Sequence, residues 1–215
     1  MKDTFITKGK RRELGAVLVS KGISDHNVLN AIQLLPRHLF FEPEFENHAY
    51  EDKAFPIIGG QTISQPYTVA FQTQLLEIAE NDKILEIGTG SGYQASVLKL
   101  LKADVYSLEI VPELVEFSRK MFELLQLNIN HKLSDGTLGW EEKAPFDKIL
   151  VTAGAPSIPS PLIHQLKVGG ILVIPVGKNQ DSQKMVKITR SKDGFEKTVY
   201  ESFSFVPLTG ALGWK

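Results

Sequence analysis

The chain has no cysteine at all. That removes disulfides, thiolate nucleophiles and cysteine metal ligands together. It has no apolar run approaching the roughly 20 residues that a membrane-spanning helix requires. It has no excess of charge in either direction: 24 Lys and Arg stand against 25 Asp and Glu, for a formal net charge of -1. A protein whose main work is gripping nucleic-acid backbone would carry a basic surplus, so no nucleic-acid partner is expected. The opening MKDTFITKGKRREL lacks the apolar core of a signal peptide, and the expectation is a cytoplasmic protein with no membrane partner. The five histidines, His26, His38, His48, His131 and His164, are scattered without metal-ligand spacing, so no metal is expected. No internal repeat or low-complexity tract is evident. At 215 residues, 42% hydrophobic and 23% charged, the chain reads as a single domain over 1–215 with a substantial core.

What is present is organised around residues 83–92, KILEIGTGSG. A short apolar run carrying one acid, Glu86, ends in Gly88, Gly90 and Gly92. A helical pattern follows over 93–101. A strand that runs into glycines and then feeds a helix is how open α/β sheets form a nucleotide pocket. The backbone turns tightly and the helix N-terminus offers unpaired N–H groups.

Upstream, Leu14, Val17 and Leu18 predict a helix stopped at Gly22. Ser24 or Asp25 caps a second helix with Val28, Leu29, Ile32 and Leu35 on its apolar face, ended by Pro36. Residues 36–67 mix Phe40, Phe41, Phe45, Tyr50 and Phe55 with Gly, Pro and acids and hold no period. So long an irregular stretch is more often functional than filler. A helix is expected over 67–79. From Lys83 strands and helices alternate: strands at 83–87, 104–108, 129–133, 148–152 and 171–176, with helices at 93–101, 112–125 and 161–166, the last closed by Gly169-Gly170. Strands at 184–189 and 198–205 complete the chain as an antiparallel pair. The pattern implies an α/β fold: a three-layer, doubly wound, mostly parallel sheet with N-terminal helices. Residues 1–80 would carry the helices and an active-site loop, and 81–215 the ligand-binding core and C-terminal strands.

A dinucleotide would call for G-x-G-x-x-G, but the spacing here is G-x-G-x-G. Glu86 would also repel a pyrophosphate, and an acid in a strand destined for burial is costly unless it meets an opposite charge. A cationic, phosphate-free nucleoside suits it better, and S-adenosylmethionine is one. Glu109 at the end of the second strand is placed to accept two ribose hydroxyls, and Asp135 at the end of the third to accept from an adenine amino group.

Several segments together resemble the protein-L-isoaspartate O-methyltransferase family: GQTISQPY over 60–67, LEIGTGSGYQASVL, SDGTLGW, LKVGGILVIPVG and FVPLTG. GQTISQP is the restrictive one. The resemblance runs from about residue 11 to the end. It implies a Rossmann-like methyltransferase fold and transfer of a methyl group from S-adenosylmethionine, leaving S-adenosylhomocysteine, to the free carboxylate of L-isoaspartyl residues in damaged proteins and peptides. The ester would then collapse to a succinimide. It implies Ser64 as the catalytic residue. It implies cofactor contacts from Gln61, Thr62, Ile63, Ser64, Glu86, Gly88, Gly90, Gly92, Glu109, Ile110, Asp135, Gly136 and Thr152. Ile58 and Gly59 on one side, and Val206, Leu208 and Thr209 on the other, would hold the peptide. A monomer is expected. A carboxylate nucleophile is already ionised at neutral pH and needs no general base, which accounts for the missing nucleophile–base pair. The alternatives are a non-catalytic S-adenosylmethionine-binding module that recognises modified proteins, or a carboxyl methyltransferase with another substrate. A nucleic-acid amino methyltransferase would show Asn/Asp-Pro-Pro-aromatic where this chain has Thr152-Ala153-Gly154-Ala155-Pro156.

Overall fold

The computed structural model describes residues 3–215. The N-terminal helices are α1 (Phe5–Ser20) and α2 (His26–Leu34). Thr4 caps α1 in a reciprocal box with Thr7, and the Asp25 side chain accepts the N–H groups of Asn27 and Val28 to cap α2. Such caps satisfy helix-end donors that would otherwise lack partners. The irregular stretch contains 3-10 turns at Arg37–Phe40, Pro43–His48 and Ile58–Gly60, and a small antiparallel pair, β1 (Phe55–Pro56) and β2 (Thr62–Ile63). Helix α3 (Pro66–Leu75) follows with Pro66 in its first turn.

The core then alternates β3 (Lys83–Ile87), α4 (Tyr93–Leu100), β4 (Asp104–Glu109), α5 (Pro112–Leu124), β5 (Asn130–Leu133), β6 (Phe146–Val151), α6 (Ser160–His164), β7 (Leu166–Val176), β8 (Gln183–Arg190) and β9 (Phe195–Phe203). The sheet order is β5-β4-β3-β6-β7-β8-β9, parallel from β5 to β7 and antiparallel across β7, β8 and β9. Side chains alternate across the pleat. Ile84, Val105, Leu150 and Val173 pack on one face with Ala95 and Leu98 of α4 and Phe122 of α5. Leu85, Ile87, Leu108, Ile149, Val151 and Leu172 pack on the other with Leu162 of α6. Helices on both faces of a mostly parallel sheet make this a doubly wound, Rossmann-like architecture. The chain lays down β3, β4 and β5 in one direction and then crosses to β6 and β7. The reversal falls between β3 and β6, the place where such sheets open a crevice.

Of the boundaries that differ from the sequence reading, two have a clear cause in the backbone. Helix α3 ends at Leu75 instead of continuing to 79, because Glu77 takes a left-handed backbone (φ 52°) that a helix does not continue through. The Gly169-Gly170 pair does not close a helix. It lies within β7, where the pairing with β6 shifts register between Phe146–Leu166 and Lys148–Ile171. The pair absorbs a bulge in the strand.

Candidate active site

The glycine turn begins where β3 ends, at the topological reversal. Gly88 has φ 94°, and a Cβ there would lie 2.6 Å from the Thr152 hydroxyl oxygen. Only glycine lets these two strand ends approach so closely. The Thr152 hydroxyl shares its proton between the carbonyls of Gly88 (2.6 Å) and Ile87 (2.9 Å). Glu109, at the end of β4, accepts from the backbone N–H groups of Gly90 (2.8 Å), Ile110 (2.8 Å) and Val111 (2.9 Å). A carboxylate offers about four lone-pair directions, so about one remains for a ligand hydroxyl where the sequence reading expected it to accept two ribose hydroxyls.

These groups border one cavity with Gln61, Thr62, Ile63, Ser64, Gly136, Val206, Leu208 and Thr209. Of the sequence-derived site residues, Gly88, Gly90, Glu109, Ile110 and Thr152 also line it. A second, adjoining cavity runs between Gln65, Tyr67 and Thr68 on one side and the end of β9 with residues 201–206 on the other. Thr62, Ser64, Thr152 and Val206 border both cavities. Of the three hydroxyls at this junction, that of Thr152 is committed to carbonyls and Thr62 is exposed. Ser64 is half-buried, and its hydroxyl makes no hydrogen bond among the described residues.

Five expected contacts lie elsewhere. Glu86 points into the layer between sheet and helices, not into the cavity. It is fully buried, and parallel register sets it beside Ser107, whose hydroxyl donates to its carboxyl. Burial pushes this carboxyl up to about 8, so it is protonated and neutral at pH 7, and its other oxygen has no partner among the described residues. It reaches the cavity wall indirectly, because the hydroxyls of Ser107 and Thr89 lie 2.6 Å apart and Thr89 lines the cavity. Asp135 is outside the lining as well. Its carboxylate accepts from the Thr137 N–H (2.9 Å) and hydroxyl (2.7 Å) and from the Ala211 N–H (2.7 Å). Burial alone would raise this group; those hydrogen bonds hold it below its ordinary value. Gly92 caps α4 with the Phe122 ring behind it and does not border the cavity. Ile58 and Gly59 border neither cavity: Ile58 packs on the helical core, and Gly59 faces Val111 and Leu114.

Sequence reasoning missed Thr89, Ser91, Tyr93 and Gln94, which line the cavity from the glycine turn and the first turn of α4. The signal was available, since residues between and just after the glycines of such a turn face the ligand. Gln94 donates to the Thr73 hydroxyl (3.0 Å), while its carbonyl oxygen is buried without a partner among the described residues. The cavity therefore offers the acceptor Glu109 beside apolar Ile87, Leu108 and Ile110. That suits a nucleoside bearing hydroxyls and a positive charge, and does not suit a pyrophosphate. Among the described residues no group of three or more His, Asp or Glu could hold a metal ion.

Known proteins resemble this chain over nearly its whole length. The family model for protein-L-isoaspartate(D-aspartate) O-methyltransferase (PCMT) matches residues 10–213. A protein-L-isoaspartate O-methyltransferase of Christiangramia forsetii is 52% identical over 209 residues, covering 97% of this chain and 98% of that protein. One of Flavobacterium johnsoniae is 53% identical over 210 residues, with the same coverage of 97% and 98%. A solved protein-L-isoaspartate O-methyltransferase superposes with a TM-score of 0.84 at 27% identity, over 94% of this chain and 67% of that one. A beta-aspartate methyltransferase from Plasmodium falciparum, solved in complex with S-adenosyl-L-homocysteine, gives 0.80 at 26% identity over 93% and 98%.

Proposed function

The chain belongs to the protein-L-isoaspartate(D-aspartate) O-methyltransferase family, and on that premise we propose how its residues divide the work. It is an S-adenosylmethionine-dependent enzyme that methylates the free carboxylate of isoaspartyl residues in proteins and peptides. The cofactor, when bound, supplies a methyl group on a sulfonium cation. In our reading Gly88, Gly90 and Glu109 hold its nucleoside, with Gln61, Thr62, Ile63, Ile110, Gly136 and Thr152 completing the wall. Glu86 supports that wall from behind through Ser107 and Thr89.

Ser64 is the catalytic residue in this reading. The observation that carries it is the position of Ser64 at the junction of the two cavities with its hydroxyl uncommitted. The hydroxyl donates to one oxygen of the isoaspartyl carboxylate and leaves the other free to attack. No proton has to be removed, because a carboxylate with a pKa near ~4 is ionised at neutral pH. The chain's contribution is then orientation and exclusion of water, which can supply about 7–11 kcal/mol in favourable cases. Val206, Leu208 and Thr209 form the far wall, and the peptide lies along the second cavity. The protein acts as a cytoplasmic monomer on damaged proteins, without nucleic acid or membrane as partner; the near-cancelling charge of the chain supports the exclusion of nucleic acid.

The test is incubation with methyl-labelled S-adenosylmethionine and either an isoaspartyl peptide or its aspartyl counterpart. Base-labile label is expected in the first alone. Ser64→Ala is expected to lower kcat by about 10- to 100-fold, the worth of one hydrogen bond to a charged group, with binding of S-adenosylhomocysteine within about twofold. Unchanged turnover and peptide affinity in Ser64→Ala would refute the assignment.

A further inference from the structure

Arg37 opens the irregular stretch that leads from α2 to the active-site loop. Its side chain is 0% exposed and heads the fully buried side chains by size. A charge taken out of water normally demands a carboxylate partner. Arg37 is served differently. Its Nε donates to the carbonyl of Ala49 (3.0 Å) and its Nη2 to the carbonyl of Ser64 (2.8 Å). The guanidinium carbon lies 5.2 Å from the centre of the Phe41 ring and 4.6 Å from that of Tyr93. Asp52, the acid whose charge it feels, is occupied by the Tyr67 N–H, the Gln65 side chain and Lys21.

The placement of these partners is informative. Tyr93 begins α4 and lines the cofactor cavity. Ser64 borders both cavities. One rigid, planar group thus spans the wall of one cavity and the backbone of the residue at the junction. Asp52 restrains the same loop as well, through Gln65 and Tyr67. A lysine could not substitute, since it offers a point charge where the fork reaches two carbonyls and packs against two rings.

We propose that Arg37 is a positioning residue for Ser64: it fixes the Ser64 backbone against the cavity wall at Tyr93, and so aims the hydroxyl. The proposal rests on the catalytic reading of Ser64 given above. Arg37 touches neither substrate nor cofactor in this role, and its effect passes through Ser64. A misplacement of about 1 Å is enough to cost about 100-fold in rate.

The experiment is a double-mutant cycle on the full chain. Arg37→Lys and Arg37→Met are made alone and together with Ser64→Ala. Each variant is measured for kcat, KM for an isoaspartyl peptide and Kd for S-adenosylhomocysteine, with circular dichroism as the check on folding. In the Ser64 background Arg37→Lys is expected to lower kcat by about 10-fold or more, with Kd within about twofold. In the Ser64→Ala background the same change should lower kcat no further. Equal losses in both backgrounds, a change confined to KM, or no loss at all would overturn the proposal. An Arg37 effect alongside an undamaged Ser64→Ala would instead overturn the reading of Ser64. If neither Arg37 variant folds, Phe41→Leu removes one ring from the guanidinium and enters the same cycle under the same criteria.

Discussion

The Glu109 carboxylate accepts the Gly90 backbone N–H at 2.8 Å, so the end of β4 holds the middle of the glycine turn that follows β3. The acid shapes the turn as well as lining the cavity. Glu109→Gln would present an N–H₂ group where backbone donors now converge and would remove the charge from every one of these bonds. Each hydrogen bond to a charged group is worth about 1.5–3 kcal/mol. Affinity for S-adenosylhomocysteine, measured by calorimetry, is expected to fall at least about 10-fold, with Glu109→Ala falling further.

The buried Glu86 carboxyl gives stability a dependence on pH. Its pKa is about 8 in the folded chain against an ordinary 4.5. Between those values the folded state holds a proton that the unfolded state has released, so stability is full below the lower value and declines as pH rises toward the upper one. Each pH unit in the window removes up to about 1.4 kcal/mol. Glu86→Gln keeps the shape without the titration. Thermal unfolding of the two proteins between pH 5 and 8 should show the variant gaining on the parent as pH rises. A difference in Tm that stays constant with pH would contradict a buried, protonated Glu86.

Asp135 is expected to reveal its role through the C-terminal segment. Its Oδ2 accepts the Ala211 N–H at 2.7 Å, and Gly210 passes so close that a Cβ there would lie 2.2 Å from Oδ1. Trp214 closes the same segment by donating to the carbonyl of Gly154 (2.8 Å). Asp135→Ala should raise hydrogen–deuterium exchange at Ala211 and Leu212 by about 10-fold or more, the worth of a lost charged hydrogen bond. If exchange there is unchanged while cofactor affinity collapses, Asp135 serves the adenine and not the segment.

Glu201 is the one charged residue among those bordering the second cavity, where it accepts from the Tyr67 hydroxyl at 2.7 Å. A peptide with lysine beside its isoaspartyl residue should bind better than one with glutamate. Glu201 is exposed, so the effect is modest: about two- to fivefold in KM at low salt. Glu201→Gln, or salt at about 0.5 M, should erase the difference. A preference that survives both would place the discriminating charge elsewhere.

Much of the fold was legible in the chain itself. Caps, prolines and alternating apolar strands are local facts, and they located most of the helices and strands within a few residues. The glycine turn was legible for the same reason, as was Glu109 at the end of its strand; Ser64 was singled out by the family resemblance of GQTISQP and not by its local pattern. The residues that fall outside the cavity lining share a different cause. Glu86 was assigned to a ligand because it stood alone in its strand, but parallel register set Ser107 beside it from 21 residues away. Asp135 was assigned to adenine because its strand ended there, but the chain returned 76 residues later to place the Ala211 N–H against it. Ile58 and Gly59 sit next to the loop in sequence and turn instead toward α5.

Arg37 shows the division most clearly. Its sequence neighbours marked an irregular segment and nothing more. Only the packed structure sets its guanidinium beside Phe41 and Tyr93 and against the carbonyl of Ser64, 27 residues along the chain. The sequence by itself determined the backbone's local path, the order of strands and helices, and the chemical types waiting at the strand ends, because those depend on neighbours within a few positions. Tertiary structure decided which polar groups were already spent on one another and which, like the Ser64 hydroxyl, make no hydrogen bond among the described residues. Hydrogen-bond capacity is finite, and its allocation depends on what folding brings together from a distance.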